Sequence, residues 1–278
     1  MKIAIQGEPG AFSHEAALKL VAGAEIVPCA LSAEVFRALD VGEADAAAIP
    51  IENSLAGSVL DHFDLLLKHD VKVVRETLLR IRHNLIALRG ASVEQIERVY
   101  SHPVALAQCR RFLAAHPKMK AIGFYDTAGS VKQLAELGDL NVAAIASEAA
   151  AAQYGAEILA RGIEDDPENY TRFFLVRRSA EAATDADANK MSIAFTLENR
   201  PGSLVAALSA LSAIGTNLTK IESRPVHGKP WEYIFYVDCQ IGSAGEGERA
   251  LDSLRAHCGM VKELGRYREA RAIESPVS

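Results

Sequence analysis

The sequence is poor in the residue patterns that mark metal, redox and nucleic-acid sites. Its four cysteines are widely spaced and form no Cys-x-x-Cys pair, so neither a zinc site nor a redox dithiol is indicated. The eight histidines include no His-x-x-x-His or His-Glu-x-x-His pattern. Lysine and arginine number 30 against 36 acidic residues, a net charge of -6 that disfavours a dedicated nucleic-acid binder. We therefore expect no cofactor and no nucleic-acid partner, and nothing supports a metal.

Long apolar runs are also missing. No window approaches the length of an apolar helix that crosses a membrane, so no membrane association is expected. The first residues, Met1 to Gly7, predict a strand and its turn, because they have neither the apolar core nor the cleavage site of a signal peptide. The composition, 49% hydrophobic and 24% charged over 278 residues, is ordinary for globular proteins. These features favour a cytoplasmic protein of one large or two medium domains.

Short apolar runs alternate with amphipathic stretches from the N-terminus to about residue 176. Lys2 to Gln6 predicts a strand and Phe12 to Val21 a helix, and the same order repeats along this part of the chain. Further along, Val71–Val74 predicts a strand and Val104–Ala115 a helix. Such alternation is typical of an α/β fold with largely parallel sheets. In these folds ligands bind where strands end and helices begin.

A change of composition marks the end of this α/β part. Residues 179–190 contain no large apolar side chain and predict a short acidic linker. Residues 191–268 then follow the order β-α-β-β-α-β, which is the ferredoxin-like plan. A module of about 75 residues is marginally stable alone, so pairing with a second copy is expected. Residues 269–278 predict a frayed tail.

Five polar turns each follow a predicted strand. They are Gly7–Ser13, Pro50–Val59, Ser101–Pro103, Tyr125–Ser130 and Asn169–Phe173. Taken singly, each has an ordinary explanation as a βα turn, a helix N-cap or the start of a strand. In a regular strand Thr171 and Phe173 share one face and Arg172 points away. Taken together, the turns predict a cleft rich in N–H and hydroxyl donors, with at least one guanidinium, that suits a small polycarboxylate.

These segments, in this order, resemble a prephenate dehydratase with a C-terminal ACT regulatory domain. The matching segments are GEPGAFSHEAA (7–17), PIENSLAGSV (50–59), SHPVALAQC (101–109), DTA (126–128), NYTRF (169–173), RPGSLV (200–205) and ESRP (222–225). The resemblance covers nearly the whole chain. It implies a catalytic domain at 1–178 with two α/β lobes of the type 2 periplasmic-binding-protein kind, and an ACT domain at 191–268.

The resemblance implies decarboxylating dehydration of prephenate to phenylpyruvate, CO2 and water, a carbon–oxygen lyase reaction in L-phenylalanine biosynthesis. It makes Thr171 the key catalytic residue, which would donate a proton or a strong hydrogen bond to the departing ring hydroxyl. The substrate-binding residues that it implies are Asn53, Ser54, Gly57, Ser101, Thr127, Ala128, Arg172 and Phe173. Positioning and electrostatics would supply the rest of the rate enhancement.

The resemblance also implies a phenylalanine site in the ACT part. The effector-binding residues would be Gly202, Ser203, Leu204, Val205, Glu222, Ser223, Arg224 and Pro225. Sites of this kind lie between paired ACT domains, so a homodimer or tetramer is implied. Feedback inhibition follows if phenylalanine binds one geometry of the catalytic cleft better than another. By position alone, the same residues are a helix N-terminus and a strand.

Two residues depart from the family pattern. Ala11 stands where the family commonly has threonine, and Ser203 stands where the first regulatory motif commonly has alanine. Because alanine at the first position also occurs in plant relatives that dehydrate arogenate, an arogenate dehydratase or a dual-specificity enzyme is the alternative. A non-catalytic amino-acid sensor is a further alternative. No chorismate mutase segment precedes the catalytic part, so a monofunctional enzyme is expected.

Overall fold

The computed structural model describes residues 1–226 and 232–270, and the chain forms two compact units. The first unit comprises Met1–Val59 and Leu78–Phe173, and the second comprises Leu60–Thr77 and the chain from Phe174 onward. Residues 60–77 therefore group with the C-terminal part. The domain limits drawn from the sequence stay predictions, and the end of the predicted tail, residues 271–278, lies outside the described residues.

Strands and helices alternate through the first 80 residues. They are β1 (Lys2–Gln6), α1 (Phe12–Leu20), β2 (Glu25–Cys29), α2 (Ser32–Asp40), β3 (Ala46–Asn53), β4 (Gly57–Ser58), α3 (Leu60–Lys68) and β5 (Val71–Arg80). Of these, α3 and most of β5 belong to the second unit.

The alternation continues to residue 178. The elements are β6 (Asn84–Ala87), a 3-10 helix (Val93–Gln95), β7 (Arg98–Ser101), α4 (Pro103–Ala107), α5 (Arg110–Ala115), β8 (Lys120–Gly123), α6 (Thr127–Leu137), β9 (Val142–Ala146), α7 (Glu148–Gln153), β10 (Glu157–Ala160) and β11 (Tyr170–Arg178). Strand β11 begins in the first unit and ends in the second.

Two sheets organise this α/β part. One has the strand order β2-β1-β3-β11-β5, with β4 paired with β3, and β1 runs parallel with both of its neighbours. The other has the order β10-β6-β9-β7-β8. In this second sheet β7 is parallel with β8 and β9, whereas β6 is antiparallel with β9 and β10. The predicted two-lobed α/β fold is confirmed, but its second sheet is mixed rather than largely parallel.

Strand β9 shows how a lobe buries both faces of its sheet. Val142, Ala144 and Ala146 pack in a cluster with α6, whereas Ala143 and Ile145 pack in a cluster with α4. Successive side chains of a strand point to opposite faces, so a strand covered on both sides must be apolar throughout. This double cover fixes the helices against the sheet and leaves the strand ends and helix starts at its edge.

The second unit contains the ferredoxin-like module. Its elements are a 3-10 helix (Ser179–Glu181), β12 (Lys190–Thr196), α8 (Ser203–Ala213), β13 (Leu218–Pro225), β14 (Tyr233–Gln240), α9 (Ala244–Arg255) and β15 (Met260–Tyr267). The sheet order is β13-β14-β12-β15, with neighbouring strands antiparallel. Met191, Ile193 and Phe195 of β12 pack with α8 and α9 in one apolar core. The predicted ferredoxin-like plan is confirmed.

Helix α3 belongs to the same unit as this module. The rings of Phe63 and Tyr236 lie 4.8 Å apart, and the residues beside Tyr236 on β14, Phe235 and Val237, pack instead with α8 and α9. Strand alternation therefore places α3 on the opposite side of β14 from those two helices. Lys262 donates to three backbone carbonyls at the C-terminal end of α3. A cation there satisfies the carbonyls that a helix end leaves unpaired.

Gly265 of β15 is the tightest glycine in the second unit. A Cβ at this position would fall 2.8 Å from the backbone nitrogen of Val73 and much closer to the Val73 carbonyl oxygen than van der Waals contact allows. Because backbone cannot yield as a flexible side chain can, Gly265→Ala is expected to lower the free energy of unfolding by about 3 kcal/mol. The matched variant Gly245→Ala lies at an exposed position of α9 where a Cβ would have no neighbour closer than 3.9 Å outside the adjacent residues and the helix backbone, and its free energy of unfolding should rise by roughly 0.5 kcal/mol. Denaturant unfolding of both measures the difference, and equal midpoints would contradict the packing.

Candidate functional site

A cavity of about 470 Å³ lies in the first unit, where strand ends and helix starts meet. All five polar turns contribute to its lining. The contributing residues are Gly7, Ala11, Phe12, Ser13, Pro50, Asn53, Ala56, Gly57, Ser58, Val59, His102, Tyr125, Asp126, Thr127, Thr171 and Phe173. The convergence that α/β topology predicts for these turns is therefore present.

Thr171 stands on the cavity wall in a defined hydrogen-bonding state. Asn53 Nδ2 donates to Thr171 Oγ1 at 2.9 Å and to Asn169 Oδ1 at 2.7 Å. Asn53 Oδ1 accepts from the backbone N–H groups of Leu55 and Ala56, which fixes which way the amide faces. Since Thr171 Oγ1 accepts from Asn53, its own hydroxyl hydrogen is directed elsewhere. Thr171 lines the cavity and is 8% exposed, so a ligand in the cavity is a suitable acceptor.

Two further side chains extend this network. Gln108 Oε1 accepts from Asn169 Nδ2 at 3.0 Å and lies 2.9 Å from His83 Nε2. An amide oxygen only accepts, so His83 Nε2 carries the hydrogen. Burial lowers the pKa of His83, which favours the neutral ring. His83 Nδ1 is then an acceptor, and it has no partner among residues 1–226 and 232–270. Sequence reasoning gave no role in this network to Gln108, Asn169 or His83, although Gln108 and Asn169 lie inside two of the matched segments.

The NYTRF segment divides its side chains between two faces. Thr171 and Phe173 line the cavity, as the alternation of a regular strand predicts. Arg172 does not line it, and Arg172 Nη1 lies 3.9 Å from Glu52 Oε2. No other arginine or lysine is among the described residues that line the cavity. Strand geometry turns Arg172 away from this cavity, and its contact with substrate stays a prediction.

Both predicted substrate-binding serines form hydrogen bonds with backbone groups. Ser54 Oγ donates to Glu168 O and accepts from Tyr170 N, both at 3.0 Å. Ser101 Oγ donates to Ile145 O at 2.5 Å and is fully buried. Neither residue lines the cavity. In this structure both serines hold segments that carry lining residues, and their contact with substrate stays a prediction.

Of the other predicted substrate-binding residues, Gly57 and Thr127 line the cavity and Ala128 does not. Ala128 is fully buried in the core beneath α6. Thr127 is the first residue of α6, and its contact with the cavity brings the start of that helix to the wall.

Helix N-termini, and not lysine or arginine side chains, supply positive potential at the described wall of the cavity. Ala11, Phe12 and Ser13 at the start of α1 line it, as does Thr127 at the start of α6. Helix α1 has no side-chain cap, and the N–H group of His14 donates to Ala11 O, so the N–H groups of Phe12 and Ser13 are available to a ligand. Helix N-termini carry partial positive charge and bind carboxylates and phosphates. The cavity is therefore suited to an anion although neither lysine nor arginine is among its described lining residues.

Asp126 adds a negative group to the same wall. Its Oδ1 accepts from Gly129 N at 2.7 Å and caps α6. Burial raises the pKa of this carboxyl group above its ordinary value. Gly7, with φ of 100°, faces it, because a Cβ there would lie 2.7 Å from Asp126 Oδ2. Gly7 thus allows the loop after β1 to approach the start of α6.

A second, smaller cavity of about 130 Å³ lies in the second unit at the start of α8. It is lined by Leu197, Glu198, Asn199, Arg200, Ser203, Leu204, Tyr233 and Phe235. Of the eight predicted effector residues, Ser203 and Leu204 are in this lining. Gly202 caps the same helix start, and Val205 is 67% exposed.

The ESRP segment lies on β13 with its side chains on two faces. Arg224 Nη2 pairs with Asp64 Oδ2 at 2.9 Å and with Asp61 Oδ1 at 3.3 Å, both on α3. Glu222 is on the same face as Arg224, whereas Ser223 and Pro225 are on the exposed face. None of these residues lines the small cavity, so in one chain the two predicted effector motifs do not form a single pocket.

Within residues 1–226 and 232–270, no three His, Cys, Asp or Glu side chains gather as a metal ion would require. None of the helices in this part of the chain combines the length and the apolar character needed to cross a membrane.

Comparisons with known proteins agree with the fold. The family model for prephenate dehydratase matches residues 3–181. The chain is 40% identical over 277 residues to arogenate dehydratase/prephenate dehydratase 2, chloroplastic, of Arabidopsis thaliana, which covers 96% of this chain and 72% of the relative.

Two solved structures share both fold and sequence. The prephenate dehydratase of Arthrobacter aurescens in complex with L-Phe superposes with a TM-score of 0.88 at 32% identity, covering 99% of this chain and 94% of the other. GqqA, described as a novel type of quorum quenching acylase, gives 0.87 at 32% identity and covers 96% and 98%. With the match of the family model over 3–181 and the relative at 40% identity, the chain belongs to the prephenate dehydratase family.

Proposed function

We propose that this chain converts prephenate to phenylpyruvate, CO2 and water. The observation that carries the proposal is the state of Thr171, whose oxygen accepts from Asn53 and whose hydroxyl hydrogen is therefore left for a ligand in the cavity. A donor placed where negative charge develops on a leaving oxygen stabilises the transition state more than the ground state.

The reaction needs little more than such a donor and correct orientation. The electrons of the breaking carbon–carboxylate bond form the new ring double bond, and the ring carbon–oxygen bond breaks on the other side. CO2 leaves, and the departing hydroxide becomes water when it gains a proton. Because the ring becomes aromatic, the overall change is strongly downhill. A hydrogen bond from Thr171 that strengthens as the oxygen becomes negative assists this step.

The two carboxylates of prephenate require positive potential, which the helix starts offer. The first turns of α1 and α6 both reach the cavity. Both helix starts bring the positive end of a helix dipole to the cavity, although at α6 Asp126 already accepts from the N–H group of Gly129. Held between them, a dianion is oriented without lysine or arginine on the described wall, and orientation is itself a large part of catalysis.

Arogenate is the second candidate substrate, and Asp126 is the observation that favours it. Arogenate carries an ammonium group where prephenate has its side-chain carbonyl. The Asp126 carboxyl group lies in the lining near the helix starts, so it offers a partner for an ammonium group and repels an anion. The Arabidopsis relative is named for both activities.

The deciding experiment assays the purified chain with prephenate and arogenate separately. Phenylpyruvate is read in the ultraviolet after alkali, and phenylalanine formed from arogenate is read by amino-acid analysis. The proposal requires turnover of prephenate, and the ratio of kcat/KM values decides the preferred substrate. If the chain turns over arogenate but not prephenate, the first proposal fails and arogenate is the substrate. Binding of amino acids without turnover of either would indicate a sensor.

We also propose that phenylalanine regulates the enzyme through the ferredoxin-like module, acting as an ACT domain in a homodimer or tetramer. Support comes from the small cavity at the start of α8 and from the L-Phe bound to the Arthrobacter relative. An effector can change activity only through different affinities for different states of the protein. Inhibition curves with phenylalanine and light-scattering masses with and without it test both parts. Cytoplasmic location stays a prediction.

Asp126→Asn is expected to separate the two substrates. Asparagine retains the cap on α6 but removes the negative charge, so KM should fall about fivefold for prephenate and rise for arogenate, a change of roughly 1 kcal/mol each. Because the pKa of Asp126 is raised, protonation begins at a higher pH than in free aspartate. The advantage of the variant with prephenate should therefore shrink as the pH falls through that pKa.

KM measured from neutral to acidic pH for both enzymes checks this prediction. Asp185→Asn is the matched control, since it removes one charge from an exposed aspartate that also accepts from a backbone N–H. If Asp185→Asn and Asp126→Asn shift KM alike, the effect is one of net charge and the local reasoning fails.

A further inference from the structure

Gln6, the last residue of β1, brings an amide group to the cavity of about 470 Å³ in the first unit. It lies one residue before the first matched segment, so the sequence gave it no role. Its Oε1 accepts from Ser32 Oγ at 2.8 Å. Among the described residues its Nε2 has no hydrogen-bond partner, and this atom is not one of the buried unpaired ones, so it keeps accessible surface. An amide nitrogen only donates, so Gln6 offers a ligand in the cavity a neutral donor.

The start of α2 holds this amide in place. Gln6 pairs in register with Cys29 at the end of β2, and Ser32 follows three residues later as the first residue of α2. The hydrogen bond from Ser32 therefore turns the amide oxygen toward the start of α2 and leaves the nitrogen on the other side of the group. A donor that the protein already orients loses little freedom when a ligand binds to it.

Strand order separates Gln6 from Thr171 along the cavity. Strand β3 lies between β1 and β11, so the two residues stand on strands that are two spacings, roughly 10 Å, apart. Prephenate carries its ring hydroxyl on one ring carbon and both of its carboxylate-bearing groups on the carbon opposite. When the hydroxyl lies at Thr171, the oxo-acid side chain at the other end of the molecule extends toward Gln6.

We propose that Gln6 is a specificity-determining residue whose Nε2 donates to the side-chain carbonyl of prephenate and so favours the oxo acid over its amino counterpart. The inference rests on the proposed function and deepens it. A carbonyl accepts from Nε2, whereas the ammonium group of arogenate brings only donors. A site built to hydrogen-bond one group discriminates against an analogue that lacks it. Asp126 acts in the opposite sense, and Gly7, the residue after Gln6, lies against it.

Steady-state kinetics of Gln6→Met and Gln6→Glu with both substrates tests the proposal on the full chain. Methionine keeps the length of the side chain but has no N–H group, so KM for prephenate should rise about tenfold while kcat and the KM for arogenate stay within about twofold. Glutamate replaces Nε2 by a carboxylate oxygen, which should raise KM for prephenate about thirtyfold and lower KM for arogenate about threefold. If only one substrate is turned over, the inhibition constant of the other takes the place of its KM.

Gln153→Glu is the matched control, because it adds the same charge at an exposed position of the same unit and should leave every constant within about twofold. An unchanged KM for prephenate in Gln6→Met would overturn the proposal. Equal weakening of both substrates would also overturn it, since Nε2 would then hold a carboxylate that they share. The opposite shifts expected for Gln6→Glu separate specificity from a damaged fold, which weakens both substrates together.

The proposed function can fail separately from this inference. If the unmodified chain turns over neither substrate, the proposed function fails, and calorimetric dissociation constants of prephenate and arogenate with the same variants decide the role of Gln6 by the same ratios. If neither substrate binds, both proposals are overturned.

Discussion

Replacing Thr171 by valine is expected to lower kcat with prephenate by about 10²- to 10³-fold while KM changes little. Valine retains the branched shape that the buried start of β11 requires, so the cavity wall keeps its form. What disappears is the hydroxyl that we propose donates its hydrogen to the ligand. Its contribution belongs to the transition state, where the leaving oxygen is negative, and this places the loss in kcat rather than in KM.

Steady-state kinetics with Thr171→Val and Thr171→Ser measures this effect. Serine restores the hydroxyl without the methyl group and should recover most of the lost rate. Asn53 Nδ2 loses one acceptor in the valine variant, so a modest loss of stability, about 1 kcal/mol, is expected beside the kinetic effect. Near-normal kcat in the valine variant would show that another group assists hydroxide departure.

Replacing Asn53 by aspartate is expected to be almost as damaging, with kcat lowered about 10²-fold and the free energy of unfolding by about 2 kcal/mol. One carboxylate oxygen still accepts from the N–H groups of Leu55 and Ala56, so the turn survives. The other oxygen faces Thr171 Oγ1 and Asn169 Oδ1, where the amide had been the donor. Thr171 must then give its hydrogen to this introduced carboxylate oxygen in place of the ligand, and the new charge repels a dianion.

The kinetic signature of Asn53→Asp is a loss of kcat together with a rise in KM. Asn141→Asp is the matched control, because Asn141 is exposed in the same unit and does not line the cavity. It adds the same charge and should leave both constants within about twofold. Should Asn53→Asp keep its kcat and change only KM, the amide donor would have no part in directing the Thr171 hydroxyl.

The convergence of the first four turns was predictable because it follows from strand direction, whereas the fifth segment, Asn169–Phe173, lies at the start of β11 and not after a strand. In an α/β fold the chain leaves each parallel strand at the same edge of the sheet, so polar turns distant in sequence meet there. Strand alternation likewise separated Arg172 from Thr171 correctly. The sequence pattern could not show that helix N-termini supply the positive potential at a wall without lysine or arginine. The positive ends of α1 and α6 are properties of folded helices and not of a residue type.

Gln108 shows a second limit of local pattern. The apolar spacing predicts one helix over 104–115, but the chain forms α4 and α5 with a break that presents Gln108 to the hydrogen-bond network. The start of α5 is held by Asp165, whose carboxylate accepts from the N–H groups of Arg110 and Arg111. A partner more than 50 residues away stabilises this break, and no pattern within the helix records it.

Residues 60–77 limit where the chain can be cut into separate fragments. They leave the first unit at Val59, beside the cavity, and return at Leu78, yet α3 packs in the second unit, where Phe63 is 2% exposed. A stop codon after residue 178 would remove β14 and β15 and leave the apolar face of α3 uncovered. The two units therefore cannot be separated by a single cut. A fragment made that way would expose an apolar surface that promotes aggregation, and exchange of the ferredoxin-like module between relatives must include residues 60–77.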